Sequence, residues 1–130
     1  MTLELEMLAW TSVFTLVIWI PYILAHIANS GILPVLTYKA DTASLPEWAS
    51  RAKKAHYNAV EGLVTFAALI LVAHAAEISN EAIQTSAIVY FWLRVAHYFT
   101  YIANIPFGRT LTFAGTWLAQ VCIAYNILFV

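Results

Sequence analysis

The residues that could do chemistry lie in two short stretches. The first is "RAKKAHYNAVEGLVT", 51–65, in which Arg51, Lys54, Asn58, Glu61 and Thr65 recur every three or four positions. The second is "YFWLRVAHYFTYIAN", 90–104, which spaces Tyr90, Arg94, His97, Tyr98 and Tyr101 the same way. A helix turns about 100° per residue, so each set shares a helix face. Cations, an amide, a carboxylate and phenols together suit an anionic, hydrogen-bonding ligand. Arg109, shortly after the second stretch, extends that cationic character. Other chemistries lack their residues. No His, Cys and acid cluster has metal-ligand spacing. With glycines only at 31, 62, 108 and 115, no phosphate-cradling loop exists. No nucleophile elbow is visible, and nothing points to nucleic acid.

The elements that position these residues follow from composition. Of 130 residues, 62% are hydrophobic and 10% are charged, against about 25% charged in an ordinary soluble domain. That excludes a normal water-facing surface. The apolar residues fall in four runs: Met7 to Ala28, Tyr57 to Ala76, Ala82 to Ala103 and Leu111 to Val130. Each approaches the roughly 20 residues that span a bilayer as a helix. The expectation is an all-α integral membrane four-helix bundle, one domain over residues 1–130, with four transmembrane helices per protomer. The acidic leader "MTLELE" is unlike a signal peptide. Pro21 should bend the first span. Cys122, alone inside a span, reads as a small buried hydrophobe.

Lys39, Arg51, Lys53 and Lys54 lie in or beside the first connection and Arg109 in the third, while Glu4, Glu6, Glu77 and Glu81 mark the other ends. Short basic loops stay cytoplasmic. The first and third connections should therefore be cytoplasmic, with both termini on the opposite side. The first connection, Asn29 to about Ala43, is the longest and carries Gly31 and Pro34. Ser44 and Glu47 of "SLPE" form a candidate capping box, so the second helix is expected from about Leu45 to Ala76. At 1.5 Å per residue it would be about 48 Å long and project beyond the roughly 30 Å hydrocarbon. Asn80 should cap the third helix, "NIPFG" (104–108) should end it, and the fourth should start near Arg109 or Thr110.

Arg94 is then about ten residues from its helix end, roughly 15 Å deep, where an arginine costs about 2.5–3.5 kcal/mol. It needs a partner, and Glu61 is the acid at comparable depth. The two could simply neutralise each other and hold the bundle together. That pairing leaves Lys54, Asn58, Tyr101 and Arg109 unexplained, whereas a cytoplasm-facing anion site uses them all. His26 and His74 read as hydrogen-bonded packing residues.

At these residues the chain resembles the membrane-associated proteins in eicosanoid and glutathione metabolism, the MAPEG family. Its members include microsomal glutathione transferases, cysteinyl-leukotriene synthase and the lipoxygenase-activating protein. The family's second-helix pattern is basic, then Asn four later, then Glu three later; here it is Lys54, Asn58, Glu61. Its third-helix pattern of Arg, sometimes His, then Tyr is matched by Arg94, His97 and Tyr101, and its following Arg by Arg109. The resemblance covers the whole chain. It implies a homotrimer with glutathione as co-substrate, bound between neighbouring subunits on the cytoplasmic side. Lys54, Asn58 and Glu61 would grip the peptide, Glu61 taking its ammonium and Lys54 a carboxylate, with Arg94 and His97 completing the binding set. Arg109 and Tyr101 would lie by the thiol as the catalytic pair. The second substrate would be a hydrophobic small molecule or lipid drawn from the membrane: an electrophile or a lipid hydroperoxide. The same fold also serves a non-catalytic lipid-presenting protein, which is the alternative. A small transporter is a third class, against which no inverted repeat is visible. Two positions depart from the family. Lys54 stands where members usually carry Arg, and Arg51, one turn earlier, could substitute. Gly62 stands where several members carry a polar or aromatic residue, and could allow close helix packing.

Overall fold

The computed structural model describes residues 1–130, which form helices and no strand. In chain order these are α1 (Leu3–Val17), α2 (Ile20–Ser30), α3 (Ile32–Leu36), α4 (Glu47–Ala75), α5 (Glu81–Ile102) and α6 (Gly108–Leu128).

The first apolar run is one path broken in two. Pro21 has no N–H and sits in the first turn of α2, so the hydrogen-bond ladder lapses around Ile18 and Trp19. The carbonyl of Ile18 instead accepts the Tyr98 hydroxyl at 3.1 Å. The ladder resumes with the Ile23 N–H donating to the Trp19 carbonyl. Within α1, the hydroxyls of Thr11 and Thr15 donate to carbonyls one turn back, which satisfies them inside an apolar segment.

The first connection lies slightly later in the chain than its sequence suggests, between Ser30 and Glu47. Helix α2 runs to Ser30 and stops at Gly31, whose φ of 86° suits glycine. The single turn α3 follows. The expected Ser44–Glu47 capping box does not form, because Pro46 takes the N-cap position. A residue before proline favours extended backbone, so the helix cannot begin at Leu45. Ser44 instead accepts the Asn29 side chain through its carbonyl at 2.9 Å, and Glu47 lies 3.9 Å from Arg51.

Helix α4 has 29 residues, about 43 Å at the standard rise. Its N-terminal half buries Ala49, Ala52, Ala55 and Ala59 against Ile18, Tyr22 and Tyr98. Four alanines one turn apart bring the backbones close. Lower down, Phe66 and Ile70 pack with Ile83, Ala87, Tyr90, Ala119 and Ile123, Phe66 and Tyr90 stacking with ring centres 3.9 Å apart. Helix α5 starts as expected, with Asn80 accepting the Ile83 N–H at 2.9 Å. It packs on α1, α4 and α6 and buries seven residues, Arg94 and His97 among them. Helix α6 begins at Gly108.

Contacts at the two ends show the alternation of direction. At one end Ser79 donates to Glu4, and Asn80 to Asn126. At the other Arg51 Nε donates to the Ile102 carbonyl at 3.0 Å. Thus α1, α5 and the α4–α5 turn meet at an acidic end, and the starts of α4 and α6 meet the end of α5 at a basic one. Three segments are long and apolar enough to cross a membrane: Leu3–Ser30, Glu47–Ala75 and Gly108–Leu128. Helix α5 has 22 residues, but Gln84, Thr85, Ser86, Arg94 and His97 dilute its hydropathy; it is the inner helix. Outward faces are apolar, with Leu16, Val64, Leu71, Trp92 and Leu118 all exposed, surface that suits lipid and not water.

Candidate functional site

Arg94 is the centre of the polar surface. Although charged, it is only 2% exposed. Its Nη1 donates to Asn58 Oδ1 at 2.6 Å and its Nε to the Tyr90 hydroxyl at 3.2 Å. The guanidinium also lies 5.4 Å from the Tyr90 ring centre. The direct Glu61–Arg94 pair expected from depth and charge is not formed. The one ion pair in the structure is Arg51–Glu47. Asn58 lies one turn closer to the start of α4 and its short amide meets the guanidinium first. Glu61 is left exposed.

Glu61 and Arg94 nevertheless share a space. A cavity of about 410 Å³ between α4, α5 and α6 is walled by Asn58, Glu61, Thr65, Arg94, Trp117 and Gln120, among others. Thr65 donates to Gln120 Oε1 across it. Trp117 and Gln120 were not anticipated. A signal did exist: Thr112, Thr116 and Gln120 recur every four residues in an otherwise apolar run, a polar stripe facing the α4 set.

A second hollow of about 220 Å³ adjoins the first, sharing Asn58 and Phe113, and adds His97, Tyr101, Arg109 and Thr110. The Arg109 guanidinium lies 5.0 Å over the Tyr101 ring, and the His97 ring meets the same ring edge-on at 5.6 Å. Tyr101 comes from the last turn of α5 and Arg109 from the first turn of α6, so the intervening "NIPF" turn brings them together. Asn104 and Phe107 within it both have positive φ, which folds the chain back sharply.

Three expected residues are placed elsewhere. Lys54 is exposed and walls neither hollow. Arg51 ties the carbonyl end of α5, a position where a cation satisfies orphan carbonyls and the helix dipole. Tyr98 turns to α1. His26 and His74 are also not the hydrogen-bonded packing residues expected: the buried Nδ1 of His26 has no partner, and His74 is exposed.

The chemistry open to this arrangement is definite. One wall presents a carboxylate, an amide and a guanidinium edge, complementary to a zwitterionic group bearing both ammonium and carboxylate. The adjoining hollow presents a guanidinium and a phenol, complementary to a second, developing anion.

An all-helical bundle with three membrane-length apolar segments and a polar recess between its helices defines the class. The chain belongs to the MAPEG family, whose model matches residues 7–129. Comparisons with curated proteins and with solved structures return no match.

Proposed function

We propose that this protein is a membrane-embedded glutathione transferase or glutathione-dependent peroxidase acting on hydrophobic electrophiles or lipid hydroperoxides. The observation that carries the reading is the adjacency of the two hollows, one walled by Asn58, Glu61 and Arg94, the other by Tyr101 and Arg109. In this reading Glu61 takes the peptide's ammonium, and Asn58 and Arg94 hold its carboxylate end. His97 lines the approach. Lys54 and Arg51 attract the anionic peptide from solution.

Arg109 and Tyr101 then act on the thiol. A free thiol has a pKa of about 8.5, so about 3% is thiolate at pH 7. Lowering that pKa by about two units raises the fraction to about 75% and requires about 2.7 kcal/mol of preferential anion stabilisation. A guanidinium and a phenolic donor in a low-dielectric recess supply it. In conjugation the thiol proton has already passed to water, and the sulfur lone pair forms a bond to the electrophilic carbon as that carbon's bond to its leaving group breaks, the bonding pair departing with the leaving group; with an activated double bond the π pair moves to the acceptor atoms, which take a proton from water. In peroxide reduction the sulfur takes the terminal oxygen, and a second thiol completes the disulfide, releasing alcohol and water. The rate gain is smaller than the thiolate gain, because a weaker base is a weaker nucleophile.

The same reading places four spans in the membrane, formed by α1 with α2, then α4, α5 and α6, with the basic end cytoplasmic. It also makes the protein a homotrimer in which a neighbour covers the exposed Glu61 side of the site. Cross-linking in detergent that captures only monomers would remove the trimer. The deciding experiment for function is ultraviolet thiolate absorbance of the detergent-purified protein on adding glutathione. A saturable signal supports the enzyme. Its absence, with lipid still binding, establishes the lipid-presenting alternative instead.

A further inference from the structure

Gly62 follows Glu61 on α4 and faces α5. Its backbone is ordinary helix, since Gly31 is the glycine with positive φ, so no conformational need explains it. Helix propensity alone favours alanine there. The reason lies across the interface. A Cβ at position 62 would come 2.8 Å from the Tyr90 hydroxyl and 3.0 Å from Arg94 Cζ, and closer still to Arg94 Nη2.

Neither group can step aside cheaply. The guanidinium is held at Nη1 by Asn58 and at Nε by Tyr90, and the Tyr90 ring is stacked on Phe66. Arg94 is 2% exposed, and its Nη2 makes no hydrogen bond. Both Gly62 and Arg94 wall the larger cavity. Arg94 forms no ion pair, and a buried guanidinium without one is costly unless something anionic meets it.

We propose that Gly62 is a positioning residue of the site: by carrying no side chain it leaves the space the Arg94 guanidinium fills, and so keeps that cation's free edge on the cavity wall for a carboxylate of the bound ligand. The identity of the ligand rests on the glutathione reading; the coupling between Gly62 and Arg94 does not. A side chain at 62 would push the guanidinium away from Asn58 and Tyr90 and withdraw the Nη2 edge. The residue next to Glu61 thus decides whether ammonium and carboxylate sites lie side by side.

The test is a double-mutant cycle on the full-length, detergent-purified protein, read by glutathione titration and by melting. Gly62→Ala should weaken glutathione binding by about tenfold or more, the scale of one charged hydrogen bond. Arg94→Lys should do the same. Adding Gly62→Ala to Arg94→Lys should cost less than about twofold further, because the two changes remove one interaction. An analogue lacking the α-carboxylate, γ-aminobutyryl-cysteinyl-glycine, should bind the parent more weakly than glutathione does and should lose nothing more in Gly62→Ala. Fully additive losses, or Gly62→Ala binding within about twofold of the parent, overturn the proposal. If the parent protein binds no glutathione, the function fails by itself and melting decides the coupling. Gly62→Ala should then lower the melting temperature of the parent yet raise it when Tyr90→Phe and Arg94→Met remove the atoms it strikes. Should that background not fold, Arg94→Lys replaces it, with a smaller drop expected than in the parent. An increase in the parent, or an equal drop in both backgrounds, refutes the coupling.

Discussion

Replacing Arg109 by alanine should separate thiol activation from peptide binding. Arg109 is exposed at the start of α6, and its guanidinium lies 5.0 Å from the Tyr101 ring centre. A sulfur in the hollow beside this pair, within reach of the phenol, would sit about 5 Å from the cation. At that distance the attraction is about 3 kcal/mol for an effective dielectric of about 20 and about 0.8 kcal/mol in bulk water. An open hollow with one protein wall lies between these limits, so about 1.4–2.7 kcal/mol is expected, or one to two pKa units. The sign follows from the charge: losing a cation disfavours the thiolate, so the bound thiol's pKa rises. Conjugation should fall at about pH 7 and partly recover toward about pH 9, where the thiol ionises unaided. Glutathione affinity should stay within about tenfold, because Asn58, Glu61 and Arg94 are untouched and none of them is hydrogen-bonded to or ion-paired with Arg109. Fold stability should change by no more than an exposed cation–π contact, about 0.5–1 kcal/mol. The assay is ultraviolet thiolate absorbance against pH for the parent and the variant, both saturated with glutathione. Superimposable titration curves would remove Arg109 from catalysis and leave it as a basic loop residue.

Glu61→Gln should weaken glutathione binding by about tenfold or more with no change in melting, since Glu61 is exposed and belongs to no ion pair; a large melting shift would show a structural role instead. Tyr98→Phe removes the donor to the Ile18 carbonyl at the break in the first span and should cost about 1–3 kcal/mol by denaturant or thermal unfolding, with glutathione titration unaffected; full stability would show that water or lipid headgroups satisfy that carbonyl. In a Cys122→Ala background, an impermeant thiol reagent outside intact cells should label Val130→Cys and spare Lys39→Cys. The reverse pattern would invert the orientation read from the basic residues.

Several features of this protein were legible in residue order. The apolar runs announce membrane-length helices, Asn80 announces a helix start, and Pro21 announces a break. All are local effects: a cap, a missing N–H and a hydrophobic length act within a turn or two of themselves. Helical spacing also put Asn58 with Glu61, and Arg94 with His97 and Tyr101, on shared faces. The tertiary structure decided which of these residues meet. A helix face is about 100° wide, and side chains on it can reach two different neighbours. So Tyr98 went to α1 while Arg94 went to α4, although four positions separate them. Depth and charge suggested Glu61 for Arg94, but the geometry of the α4–α5 contact gave it Asn58 and Tyr90. Arg51, on the α4 face that carries the site residues, was claimed by the carbonyl end of α5. Gln120 and Trp117 reached the cavity only because α6 packs beside α5. The role of Gly62 was least visible of all, because a glycine's contribution here is a volume left empty, and what fills it lies 32 positions further along the chain.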